Sequence, residues 1–235
     1  MAGKIYGIGV GIGDPEDITL KAIERIKESD ILICPRKDLD KCRAYQTVAR
    51  VFPGVERIKT MALEFEMTSD RKSREQNHRV IYEEVKRLVE EGKVVTFLTI
   101  GDPAIYSTYS YIADLAQKDG IETLAVSGVS SITACANALG IILCEGGEQL
   151  HVIPDTKALE ASLKLPGTKV IMKCGRDMPL LKKILSVHRD ESLVYAVSDC
   201  GTDREKCYRG LEELPDGGNY MLTVIVKERS CIYES

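Results

Sequence analysis

Short apolar, β-branched runs alternate along the chain with stretches in which apolar residues recur every three or four positions, and glycine-rich turns separate them. The clearest case is residues 94–100, an apolar run cut off by Gly101-Asp102-Pro103 and followed by helical spacing at Ile105, Tyr109, Ile112 and Leu115. The pattern predicts a buried strand, a tight turn and an amphipathic helix that starts at the turn, with Asp102 as N-cap and Pro103 at the first helical position. Residues 4–10 and the turn Gly11-Ile12-Gly13-Asp14-Pro15-Glu16-Asp17 repeat this logic, with Asp14 as cap and a helix to about residue 29 carrying Ile18, Ala22, Ile23 and Ile26 on one face. In open α/β sheets, ligands sit beyond the carboxyl ends of strands, so function is to be sought at these turns.

Between the two turns the pattern predicts a strand at 31–34, a helix at 42–51, an edge strand at 55–61, and a polar loop at 64–77 leading into a long helix that Gly92 ends. After the second turn come a strand at 121–126 and a small-residue helix at 132–139. This order implies a mostly parallel sheet with helices on both faces. Cys144-Glu145-Gly146-Gly147-Glu148 breaks the pattern and sets an expected boundary between domains 1–145 and 146–235. The second domain reads as strands at 150–153, 169–173 and 192–198 with helices at 157–163 and 178–187. Two alternating segments, 206–210 and 220–227, follow as strands joined by a Gly-Gly turn. They predict an antiparallel edge, hence a mixed sheet. The fold class expected is α/β, in two α/β domains.

Composition narrows the picture. With 235 residues, 44% of them hydrophobic, the chain can bury one large core or two modest ones. A net charge of −4 argues against a general nucleic-acid binder. Residues 1–13 do not read as a signal peptide, and no apolar run approaches the ~20 residues that span a bilayer. The eight cysteines lack a Cys-x-x-Cys pair, and His78, His151 and His188 lack metal-ligand spacing, so no metal site is expected. Cys34, Cys135 and Cys174 fall in apolar patterns, as small hydrophobes do, and a reducing cytoplasm fits best.

The glycines at 7, 9, 11 and 13 do not complete a dinucleotide fingerprint, because G-x-G-x-x-G needs glycine where Ile12 or Asp14 stands. An aspartate at the helix start would also repel a pyrophosphate, and no Walker A sequence is present. Close backbone packing and a ligand contact both stay open for this turn. Asp102 reads either as a cap or as an acceptor for a ligand hydroxyl or amine, and Ser130 and Ser131 could simply cap the next helix. Three strand-end turns, at 13, 101 and 128, could line one crevice.

Gly9-Val10-Gly11-Ile12-Gly13-Asp14-Pro15 resembles the opening motif G-x-G-P-G-D-P of the tetrapyrrole methyltransferases, with Ile12 in place of the proline. Gly101-Asp102-Pro103-Ala104-Ile105-Tyr106-Ser107-Thr108 is similar to G-D-P-x-x-Y-S-T, and Val129-Ser130-Ser131-Ile132-Thr133-Ala134-Cys135-Ala136 to V-S-S-x-T-A-C-A. Both forms occur in the branch that methylates carbon 20 of precorrin-2 or cobalt-factor II. The Met67-Thr68 pair and the closing strand are also alike, so the resemblance spans nearly the whole chain. It implies an S-adenosylmethionine-dependent enzyme of cobalamin biosynthesis, usually a homodimer, with the cofactor in the cleft between domains. It implies cofactor contacts at Gly101, Asp102, Ile105, Ser130, Ser131 and Cys174, where relatives often have Met. The turn with Gly11, Gly13 and Asp14 would face the macrocycle.

Such a transfer consumes the positive charge of a sulfonium, so alignment is the main task and no activated nucleophile is required. A base must still take the proton from the methylated carbon, and Asp102 and Tyr106 are the nearest candidates by sequence. The substrate's carboxylates call for local cations; Arg36, Arg71, Arg74 and Arg176 could serve, and cobalt, if involved, arrives inside the substrate. The alternatives are methylation of another corrin carbon or of uroporphyrinogen III, a non-catalytic sensor, and the diphthamide methyltransferase, which shares the fold.

Overall fold

The computed structural model describes residues 2–36, 38–65, 68, 70–218 and 220–229; Met67 and Cys231 lie outside the described residues. The chain divides into two compact units, Met1–Ser130 and Ser131–Ser235. In the first, strands β1 (Lys4–Gly9), β2 (Ile31–Cys34), β3 (Lys59–Ala62), β4 (Val94–Thr99) and β5 (Thr123–Val126) alternate with helices α1 (Leu20–Lys27), α2 (Arg43–Val51), α3 (Arg71–Glu90) and α4 (Tyr109–Lys118). The strands are parallel, in the order β3-β2-β4-β1-β5. Their two-residue alternation sorts side chains to two cores. Ile5, Ile33 and Phe97 pack with α3 and α4 on one face, and Ile8, Leu32 and Leu98 with α1 and α2 on the other.

Local capping moves several predicted boundaries. Asp14 accepts the Glu16 N–H at 2.9 Å but caps only a 3-10 turn, Pro15–Asp17. The Thr19 hydroxyl then accepts the Ala22 N–H at 3.1 Å and starts α1. Pro53 opens another 3-10 turn, Pro53–Arg57, which shortens the predicted edge strand to β3. Asp70 accepts from the N–H groups of Lys72 and Ser73, so 71–77 are helical rather than loop.

The second unit contains α5 (Ser131–Leu139), β6 (Leu150–Ile153), α6 (Leu159–Ser162), β7 (Thr168–Ile171), α7 (Met178–Val187), β8 (Ser192–Ser198), β9 (Lys206–Arg209) and β10 (Leu222–Glu228). The sheet is mixed, in the order β6-β7-β10-β8-β9, with β6 and β7 parallel and the other pairs antiparallel. The expected pairing of 206–210 with 220–227 is corrected here. β9 pairs with β8 at the edge, while β10, buried from Leu222 through Lys227, lies between β7 and β8. A strand covered on both faces needs a neighbour on each side.

Helix α5 packs on β8 and β10, where the Cys135 thiol meets the side chains of Cys200 and Thr223. The segment expected as a boundary is held too: Lys227 Nζ donates to the carbonyls of Ile142 (3.0 Å) and Leu143 (2.9 Å) and pairs with Glu148 at 3.2 Å. Helix α5 and the segment after it thus group with the second compact unit.

Candidate active site

Strands β1 and β4 are neighbours, and the chain leaves their carboxyl ends in opposite directions. From β1 it runs through α1 towards β2 on one face; from β4 it runs through α4 towards β5 on the other. Such a switch point leaves a crevice beyond the strand ends.

The three glycine turns meet there. Gly101 N–H donates to the Gly11 carbonyl at 2.7 Å and closes an isolated antiparallel bridge. Gly9 and Gly128 pack backbone to backbone: a Cβ on Gly9 would fall 2.5 Å from the Gly101 oxygen and 2.6 Å from the Gly128 nitrogen. Only glycine fits such an approach. Asp102 ties the turns together. One carboxylate oxygen accepts the Ala104 N–H at 2.8 Å, the other the Gly128 N–H at 3.2 Å.

Asp102 does not start a helix as the sequence suggested. Helix α4 begins at Tyr109, where the Ser107 hydroxyl accepts the Tyr109 N–H at 3.2 Å and bonds Thr99 Oγ1 at 2.8 Å. Ile105 lies in the intervening turn, its N–H on the Asp102 carbonyl at 3.2 Å. Tyr106 beside it has φ 49° and is 46% exposed. A left-handed backbone at a non-glycine residue costs roughly 1–2 kcal/mol, so the rest of the turn imposes it. The Thr99–Ser107 closure was missed from sequence, although its two hydroxyls flank the Gly-Asp-Pro turn in the chain. Above Gly101, whose φ is +75°, nothing lies within 4 Å of the Cβ position, which leaves open space beside Asp102.

A model of the tetrapyrrole (corrin/porphyrin) methylases matches residues 4–215. The chain belongs to that family. It is 36% identical to a probable cobalt-precorrin-2 C(20)-methyltransferase of Methanocaldococcus jannaschii, over 95% of this chain and 96% of that protein. It is 28% identical to a precorrin-2 C(20)-methyltransferase of Sinorhizobium sp, over 95% of each. Among solved structures it resembles the uroporphyrin-III C-methyltransferase of Thermus thermophilus complexed with S-adenosyl homocysteine, with a TM-score of 0.67, 22% identity and coverage of 95% and 97% of the two chains.

In this methylase the sequence-predicted residues fall into distinct settings. Gly11, Gly13, Asp14, Gly101, Asp102, Ile105 and Ser130 all belong to the first unit, on the turns that follow β1, β4 and β5. Ser131 is the first residue of α5, in the second unit. Cys174 is 1% exposed, with its thiol 3.9 Å from the carbonyls of Ile171 and Leu222 inside the second core, and burial pushes that thiol up to about 12. Its side chain faces inward, so only its backbone can meet a ligand.

Arg36 is exposed beyond β2, the sheet neighbour of β4, and Arg176 is exposed in the second unit. Arg71 pairs with Glu75 at 2.6 Å on the surface of α3, and Arg74 reaches the Thr68 carbonyl at 3.5 Å. His78 is buried and stacks on Tyr111 with ring centroids 4.2 Å apart, while His151 bonds the Pro166 carbonyl at 2.9 Å. Among the described residues no three His, Cys, Asp or Glu side chains gather as a metal site, and no helix is long and apolar enough to cross a membrane.

Proposed function

We propose that this methylase transfers the methyl group of S-adenosylmethionine to carbon 20 of cobalt-factor II or precorrin-2, in cobalamin biosynthesis. The observation that carries the reading is the convergence of the Gly11, Gly101 and Gly128 turns at the β1/β4 switch point, with Asp102 holding two of them. The open space above Gly101 and the acceptor-only Asp102 suit a ligand that brings hydroxyl and amine donors, as S-adenosylmethionine does. Gly101, Asp102, Ile105 and Ser130, all on turns of the first unit, hold it. Gly11, Gly13, Asp14 and Arg36 face the macrocycle, and Arg36 takes a peripheral carboxylate.

The protein's contribution is orientation. Bringing the nucleophilic carbon in line with the sulfur–methyl bond can supply ~7–11 kcal/mol of the barrier. Each Asp102 oxygen accepts one backbone N–H and keeps a second lone pair for a ligand donor, so Asp102 positions the turns and the cofactor. Tyr106, exposed and held in a left-handed backbone, borders the reacting ring. The enzyme works as a cytoplasmic homodimer; the seven described cysteines, all free thiols, agree with a reducing compartment.

The test is an anaerobic incubation of the purified protein with S-adenosylmethionine and either tetrapyrrole, followed by mass and methyl position. One added methyl on carbon 20 is expected, and the better substrate identifies the metal-containing or metal-free route. Bound cofactor without transfer to either would move the assignment to another tetrapyrrole or to a sensor.

A further inference from the structure

The carbon-20 reading leaves a proton to be removed, and the turn after β1 holds a carboxylate that nothing else uses. Asp17 ends the 3-10 turn Pro15–Asp17 and is partly buried. Its Cβ lies 3.0 Å from where a Gly11 Cβ would stand, so its side chain runs alongside the residue that bridges to Gly101. Among the described residues its carboxylate makes no hydrogen bond and no ion pair; its one bond is from the backbone N–H to the Asp14 carbonyl at 3.2 Å. Asp102, by contrast, accepts a backbone N–H on each oxygen. An uncommitted, partly buried carboxylate beside the turn that bridges to Gly101 is placed to exchange a proton.

We propose that Asp17 is the catalytic base that takes the proton from carbon 20 after the methyl group has been delivered, an inference that rests on the function proposed above. The π electrons of the macrocycle form the new carbon–carbon bond while the sulfur–methyl bond breaks, its electron pair staying on sulfur as a neutral thioether. The ring then carries the positive charge. The C20–H bond breaks, its electrons return to the ring, and the proton passes to a carboxylate oxygen of Asp17 and on to water. Burial first, and the charges of Asp14 and Glu16 second, push the Asp17 carboxyl above its usual range, which makes it the better acceptor. The same three acids repel the substrate's peripheral carboxylates, so the ring must approach this turn with a bare edge.

The experiment compares wild type, Asp17→Asn and Asp17→Glu with S-adenosylmethionine and cobalt-factor II or precorrin-2, protonated or deuterated at carbon 20. Asp17→Asn should lower kcat by ~10² or more, with KM and cofactor affinity within about twofold, and should bring out a deuterium isotope effect. Asp17→Glu should restore much of the rate. If Asn is not tolerated at 17, the isotope effect in wild type against Asp17→Glu decides, because a longer arm slows only the proton step. An Asp17→Asn enzyme with unchanged kcat, or with a loss confined to KM, overturns the assignment while the methylase reading stands. A wild type that methylates neither tetrapyrrole overturns both.

Discussion

The chain carries Gly-Asp-Pro twice, after β1 and after β4, and the two copies fold differently. In both, the aspartate accepts the N–H two residues on: Glu16 for Asp14 at 2.9 Å, Ala104 for Asp102 at 2.8 Å. That local bond belongs to the tripeptide itself, as an Asx turn. The copies part at the second oxygen. Asp102 spends it on Gly128, at 3.2 Å and 26 residues away, whereas among the described residues Asp14 makes no hydrogen bond beyond its own turn. One aspartate is thus a local cap and the other a tie between strand ends, and the tie stands where a cofactor is proposed to bind.

Glycine substitutions should separate the two turns most sharply. Gly9→Ala puts a methyl 2.5 Å from the Gly101 oxygen, and backbone cannot move aside cheaply. It should destabilise by about 3 kcal/mol or more. Gly101→Ala meets no atom within 4 Å and suffers only its φ of +75°, a cost of roughly 1–2 kcal/mol. Urea midpoints of the two variants measure the difference; equal losses would mean that the strand ends do not touch.

The aspartates should differ less in stability than in binding. Asp14→Ala removes one cap, about 1 kcal/mol, and leaves cofactor affinity unchanged. Asp102→Ala releases two N–H groups, one of them on the turn after β5, two strands away. It should weaken S-adenosylmethionine binding about tenfold, or 1.4 kcal/mol, as calorimetry would read directly. If both variants bind the cofactor like wild type, the tie is structural only.

Much of this was legible because it is local. The elements at 31–34, 150–153, 178–187 and 192–198 have the bounds their apolar patterns predict, since turn formers or a pattern change mark each end. The turns at 13 and 101 were singled out by strand, glycine and acid in sequence, and the turn at 128 by strand, glycine and serine. What stayed hidden depends on distant partners. The order β7-β10-β8 depends on which strand is covered on both faces, and the grouping of α5 with the second unit depends on its packing against β8 and β10. The inward thiol of Cys174 and the reach of Asp102 to Gly128 follow from partners that local spacing does not reveal.

The smallest effect bears on the acid that the comparison leaves unexplained. Asp17 belongs to the locally capped turn, yet its carboxyl is raised above 3.8, mainly by burial and then by Asp14 and Glu16. A raised folded value means that the native state keeps the proton over a window in which the unfolded chain has released it. Stability therefore falls as pH rises from about 3.8 through the folded value, and the deficit persists at neutral pH. Asp17→Asn removes this deficit. The variant should melt slightly higher than wild type at pH 7, with the gain shrinking on acidification and vanishing below about 3.8. A gain independent of pH would point to altered packing instead. A variant more stable at neutral pH and far slower in methyl transfer would mark Asp17 as a position where the fold tolerates an unfavourable charge for the sake of the reaction.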